Sequence, residues 1–249
     1  MPSTPNAPAP ARPERSGPQR LINAYIESKV GPDRPGFYDV ATHFPHLLEI
    51  DRGWADIRAE ADEILKMRDA MPRYHDVDQR QTNLTSTDAQ GQSWKVFPLF
   101  LMGIRPQRTR AMCPRTVALV DRVPNLFQAM FSVLEPGKSI AAHTGPYMGY
   151  LRYHLGVRVP TENPPSIRVG TEWYTWQEGK SIVLDDSLEH EVVNHSTDIR
   201  VVLIVDVLRP LPRVAHLVNH FVSRAVIRRI YANRVAENLE RIRFTSDAE

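Results

Sequence analysis

The chain has 249 residues, 42% of them hydrophobic, with 31 Lys and Arg against 29 Asp and Glu and a single cysteine. That length suits one domain with a sizeable core, and a net charge of +2 offers no basic face of the kind nucleic acid demands. Cys113 alone cannot form an intrachain disulfide, and no run approaches the roughly 18 apolar residues of a spanning helix, so the expectation is a reduced, cytoplasmic protein.

In chain order, residues 1–20 are rich in Pro, Ala, Ser and Arg and read as a disordered tail, neither signal peptide nor membrane span. Residues 21–212 read as the folded domain, opening with helices, and 213–249 as a C-terminal basic amphipathic helix. A short helix is expected over Leu21–Lys29, ended by Gly31-Pro32. A clearer one follows from the spacing of Trp54, Ile57, Ala61, Ile64, Leu65 and Arg68, with Pro72 as its stop. The polar interval Gln79–Gly91 predicts a loop. Trp94–Gly103 predicts an apolar strand broken by Pro98, and Cys113-Pro114-Arg115 opens a short helix over Thr116–Arg122. Cys113, with no acidic or histidine neighbour in sequence, reads as structural.

"LFQAMFSVLEPG" predicts a strand bearing Ser132, turned by Glu135-Pro136-Gly137. His143 falls in the loop after it, where Gly145 and Pro146 let the backbone pass close to a ligand. From Tyr150 to Val159 the residues alternate: Leu151, Tyr153, Leu155, Val157 and Val159 on a packing face, Tyr150, Arg152, His154 and Arg158 on a polar one. A turn at Asn163-Pro164-Pro165, a hairpin through Ile167 to Trp176, and strands over Ser181–Asp186 and Arg200–Leu208 complete a β-rich pattern that means a barrel or sandwich. Beyond Pro212, Leu217, Phe221, Ala225, Ile230, Ala232 and Leu239 recur at helical steps among many arginines. The expectation is a helix packed on the domain; the alternative is peripheral contact with an anionic membrane surface.

Two features carry chemistry. His143 and His190, delivered from separate strand ends, can converge on one divalent metal. Arg200 enters an otherwise greasy strand and needs an anion, since an unpaired buried charge is very costly. A ligand carboxylate would meet that need by two parallel hydrogen bonds.

The runs "FSVLEPGKSIAAHTGPYMGYLRYHLGV" and "WQEGKSIVLDDSLEHEVVNHSTDIRVVLIVDVLRP" resemble the aspartyl/asparaginyl β-hydroxylase family of oxygenases that use Fe(II), 2-oxoglutarate and O2, over roughly Phe44 to Pro212. The resemblance implies a mainly β fold with flanking helices, a double-stranded β-helix (a cupin-like jelly roll) with the metal at its open end. It implies His143 and His190 as iron ligands, Arg200 and Ser132 on the distal carboxylate of 2-oxoglutarate, and His154 with Arg152 near its chelating end or the substrate. The product set would be a hydroxylated C–H bond, succinate and CO2.

Departures from the pattern bear on substrate. Most two-histidine iron sites take a carboxylate two residues after the first histidine; Gly145 stands there, as in the peptide-hydroxylating branch, where water fills the position. "CPRTVALV", "AMFSVL" and "GYLRYHLG" look closer to the related hydroxylases of lipid A and ornithine-lipid acyl chains. Tyr150 occupies the position of an arginine that grips the substrate carboxylate in the peptide hydroxylases, leaving Arg152 as the remaining cation. The substrate is thus an Asp/Asn-type residue, a small molecule or a lipid acyl chain. A halogenase using the open site at Gly145 and a non-catalytic jelly-roll binding module are rival readings. Asp186 reads as an orienting group beside the metal, and His43, His46, His75, His195, His216 and His220 as surface or capping residues.

Overall fold

The structure is a computed structural model that describes residues 17–77 and 91–227. The tail before Gly17, nearly all of the Gln79–Gly91 interval and everything after Ile227, including Ile230, Ala232 and Leu239, lie outside the described residues.

Among the described residues, ten strands form two antiparallel sheets. They are β1 (Phe37–Tyr38), β2 (Trp94–Leu101), β3 (Leu126–Leu134), β4 (Ile140–His143), β5 (Tyr150–Arg158), β6 (Ser166–Val169), β7 (Glu172–Thr175), β8 (Ser181–Leu184), β9 (His190–Val193) and β10 (Arg200–Leu208). One sheet has the order β1-β8-β5-β10-β3-β2, the other β4-β9-β6-β7. From β3 onward the chain passes back and forth between them, so β3, β5, β8 and β10 face β4, β6, β7 and β9. That alternation is a double-stranded β-helix, the jelly roll expected.

Among the described residues, eight helices flank the sheets: α1 (Gly17–Val30), α2 (Val40–His43), α3 (Leu48–Arg52), α4 (Trp54–Leu65), α5 (Tyr74–Val77), α6 (Gln107–Met112), α7 (Pro114–Val120) and α8 (Arg213–Phe221). In α4, Ile57, Ala61 and Ile64 are buried at one-turn spacing and join Leu151, Tyr153, Leu155 and Val157 of β5 in the core between helices and large sheet. A second core, with Met130, Leu134, Val202 and Ile204 against Ile140, Ile167, Val169 and Val192, fills the space between the sheets.

Several expected boundaries differ. α1 begins at Gly17, inside the predicted tail, and α4 ends at Leu65, well before Pro72, because the Lys66 and Met67 amides turn to the carbonyls of Glu63 and Ile64. β2 runs through Pro98 unbroken: it is an edge strand, and the pairing register shifts between Pro98 and Phe100, so the missing donor costs no ladder bond. His143 is the last residue of β4 rather than a loop residue. In β5 both faces are buried, since the polar face of the alternation looks into the barrel. Finally, Leu217, Phe221 and Ala225 face outward; α8 packs instead by Ala215 and Asn219.

Candidate active site

β4 and β9 pair so that His143 stands directly opposite His190. Directly opposite residues share a sheet face, which explains why the two rings lie 4.1 Å apart, centroid to centroid. Each Nδ1 sits against a backbone carbonyl two residues earlier, Ala141 O at 2.8 Å and Leu188 O at 2.9 Å. In a neutral ring Nδ1 then keeps the proton, and both Nε2 lone pairs are left to accept. Burial, with His190 and Arg152 adding to it, pushes His143 down to about 3; burial and Arg152 push His190 down to about 4. Both imidazoles are therefore in their metal-binding form at neutral pH. Among the described residues no third His, Cys, Asp or Glu joins them in a ligand group.

The gap at Gly145 has a structural cause. A Cβ there would fall 2.8 Å from the Asp186 carboxylate, inside contact distance. That carboxylate is not free to withdraw: it accepts from the Tyr150 hydroxyl at 2.8 Å and pairs with Arg152 at 3.3 Å. Its Oδ1 is buried without a partner, and burial outweighs Arg152 to raise its pKa. An unpartnered acceptor thus stands beside the position a Gly145 Cβ would take.

Deeper in the barrel, Arg200 is 2% exposed and has neither ion pair nor hydrogen bond from its guanidinium among the described residues. Burial lowers it to about 9, and it lies 4.5 Å from the centroid of the Trp176 ring. Trp176 also stacks on His154, both of whose ring nitrogens are buried and unpartnered. Burial, then Arg152, Arg200 and His190, hold that ring well below its usual pKa, hence neutral. Ser132 lies on β3 opposite Val202, on the interior face it shares with Arg200, and its hydroxyl accepts from Trp94 Nε1 at 2.9 Å. Its own proton remains available to an acceptor. Arg200, Ser132 and His154 therefore share one interior face with unmet donors, suited to a carboxylate.

Arg152 behaves differently from the expectation that it grips a ligand. Its Nε and Nη2 donate to Asp206 at 2.8 and 2.9 Å, and Nη1 lies 3.3 Å from Asp186. With two protein carboxylates around it, this guanidinium is already neutralised. Tyr150 is likewise turned inward, stacked on Phe127 and bonded to Asp186.

Sequence reasoning missed Asp206, Trp94 and Trp176 as site residues. Asp206 was visible as an acid in an apolar strand, but only the register that sets it against Arg152 gives it a role. The two tryptophans carry no local signal. Asp185, next to Asp186, is structural: burial pushes its carboxyl up, but Arg209 and Arg34, at 2.6 and 2.9 Å, outweigh that and hold it below the ordinary value. Cys113 is buried and its thiol is pushed up to about 12, first by burial and then by Glu60, which leaves it inert. The side chain of His75 lies outside the described residues, and none of the other five remaining histidines joins the pair.

Comparison with known proteins gives the family. The family profile described as aspartyl/asparaginyl beta-hydroxylase matches residues 51–210. The ornithine lipid ester-linked acyl 2-hydroxylase of Rhizobium tropici is 42% identical over 74% of this chain and 64% of its own length. The human aspartyl/asparaginyl beta-hydroxylase is 31% identical over 71% of this chain and 23% of its own. This chain thus spans less than two thirds of either relative. A cupin domain of an Enterobacter cloacae transcriptional regulator aligns over 47% of this chain and 98% of its own at 14% identity and a TM-score of 0.33; the fold assignment rests on sheet order instead. With the profile covering well over half of it, the chain belongs to the aspartyl/asparaginyl beta-hydroxylase family.

Proposed function

We propose that this protein is an Fe(II)- and 2-oxoglutarate-dependent dioxygenase that hydroxylates an unactivated C–H bond of an acyl chain and releases succinate and CO2. One observation carries the reading: two neutral imidazoles with free Nε2 atoms share a barrel with a buried guanidinium that lacks an anion. His143 and His190 would hold the iron. Arg200 and the Ser132 hydroxyl would hold the distal carboxylate of 2-oxoglutarate, and His154 would meet its other end. When bound, the iron supplies the redox chemistry that couples decarboxylation of 2-oxoglutarate by O2 to oxygen insertion into the substrate. Asp186, with its unpartnered oxygen beside Gly145, would orient a water there. Trp176, stacked on His154 and set against the Arg200 guanidinium, would help exclude bulk water from a bound diacid.

The choice of an acyl chain over an acidic side chain follows from charge. Arg152 is neutralised by Asp206 and Asp186, and Tyr150 brings a phenol where an anionic substrate needs a cation. A charge-assisted bond is worth about 1.5–3 kcal/mol, and its absence supports the acyl-chain reading over a carboxylate partner. The similarity to an ornithine-lipid acyl hydroxylase points the same way.

Anaerobic titration with Fe(II) and 2-oxoglutarate should give a metal-to-ligand charge-transfer band that disappears on exposure to O2. A silent binding module would lack the band or its loss. His143→Ala and His190→Ala should each abolish succinate formation; near-normal turnover in either refutes the assignment. The substrate is sought by mass spectrometry as a gain of one oxygen across acyl lipids, peptides and amino acids. A chlorine gained instead, only when chloride is present, would mean a halogenase.

A further inference from the structure

Five large apolar side chains are exposed among the described residues: Leu21, Trp173, Val214, Leu217 and Phe221. Three of them stand on α8 at positions i, i+3 and i+7, which places them in a single stripe along the helix. Their exposures of 71, 69 and 67% match that of Leu21, at 73%, on the neighbouring α1.

The outward stripe is built in, because α8 is fixed by its opposite, polar face. The Asn219 amide donates to Gly149 O at 2.7 Å, its carbonyl accepts from the Tyr147 hydroxyl, and Ala215 is buried beside it. Rotating the helix to hide the stripe would strand Asn219. An amphipathic helix in a globular protein turns its apolar side inward. This one does the reverse, and such a stripe needs a partner.

Charge selects among partners. From Arg213 to Ile227 the chain holds two arginines and two histidines and no acidic residue, with Arg213 and Arg224 exposed. A second copy docked by a two-fold axis through the stripe would set this basic, acid-free segment against the same segment of its partner. An anionic lipid surface takes both the cations and the apolar stripe.

Position adds a reason. α1 and α8 together grip the segment that leads from His143 to β5: Gln19 and Asn23 donate to Pro146 O at 2.7 and 3.0 Å, Met148 N donates to Asn23 at 3.1 Å, and Asn219 holds Gly149. The exposed stripe therefore belongs to the two elements that hold the segment between His143 and β5.

We propose that Val214, Leu217 and Phe221, with Leu21, form the face by which this protein lies on an anionic bilayer, from which an acyl chain enters the site. The entry route rests on the acyl-chain reading above; the docking face does not. No helix among the described residues is long and apolar enough to cross a membrane, so contact through this face is interfacial.

The test is vesicle sedimentation of the full chain without iron or 2-oxoglutarate, using phosphatidylcholine alone or mixed with phosphatidylglycerol. Binding is expected to the mixed vesicles and to weaken in about 0.5 M salt. Leu217→Asp with Phe221→Asp should reduce it at least about tenfold, and Arg213→Glu with Arg224→Glu should also reduce it, with thermal unfolding unchanged in both. Wild-type protein that ignores the mixed vesicles overturns the proposal, whether a second copy or the chain's own residues 228–249 cover the stripe. So does equal binding by the Leu217/Phe221 variant. Because no turnover is measured, lipid binding can stand where acyl hydroxylation fails, and the reverse.

Discussion

Arg152 on β5 and Asp206 on β10 stand directly opposite each other, joined by two hydrogen bonds of 2.8 and 2.9 Å, and neither is exposed to solvent. The pair sits beside the histidines, where Arg152 helps keep both rings neutral. Burial raises Asp206 to about 6 against the pull of Arg152, so the pair is held by geometry at a cost in desolvation.

Breaking one side should therefore hurt more than removing both. Asp206→Ala leaves a buried guanidinium with only Asp186, and a loss of about 3–5 kcal/mol is expected in urea denaturation. Arg152→Met with Asp206→Leu should recover most of that loss. Equal destabilisation by the single and double variants would mean the two residues are not coupled.

Arg200 should behave with the opposite sign. It is buried without a protein anion, so Arg200→Met removes an uncompensated charge. The ligand-free protein is expected to keep or gain thermal stability, while the melting shift caused by saturating 2-oxoglutarate disappears. A destabilised variant that still responds to the diacid would show that Arg200 is structural.

The contrast explains what the sequence could and could not disclose. Arg200 was legible because an arginine at the start of a long apolar strand demands an anion wherever the strand lies. The histidine pair was legible as two candidates, but their adjacency depends on the β4–β9 register, which no local pattern encodes. The alternation in β5 gave the right faces but not that both are buried, because a barrel buries the polar face that an open sheet would leave wet. Arg152 looked like the remaining free cation until β10 supplied Asp206. For α8, periodicity picked out Leu217 and Phe221 but neither Val214 nor the direction of the stripe, which a single buried asparagine decides.

Gly145 yields a prediction about ligand number. Its Cβ position is filled by the Asp186 carboxylate, so Gly145→Ala should cost about 1–3 kcal/mol by overpacking. Gly145→Asp should for the same reason fail to build a three-ligand site and should not tighten metal binding in calorimetry. Shortening the neighbour with Asp186→Ala should make the Gly145→Ala cost smaller than in the wild-type background, a coupling that a double-mutant cycle measures. Strict additivity would mean the two positions do not compete for space.

The pH dependence of the metal-free protein follows from the histidines. His190 is held near 4 in the folded chain, against about 6.5 for an unperturbed imidazole. Between those values the unfolded chain takes up a proton that the folded ring refuses, so stability falls as pH drops through this window and levels off below it. Asp206 works the other way, since its raised value lets the folded state hold a proton that the unfolded chain releases. Comparison with His190→Gln at each pH isolates the imidazole from that opposing contribution. Relative to this variant, the wild type should lose on the order of 3 kcal/mol between about pH 6.5 and pH 4 in the presence of a chelator. Divalent metal should stabilise the wild type above the window and progressively less within it, because protons and metal compete for the same Nε2 atoms. A wild type whose stability parallels that of His190→Gln across the range would mean that the ring is solvated and titrates normally.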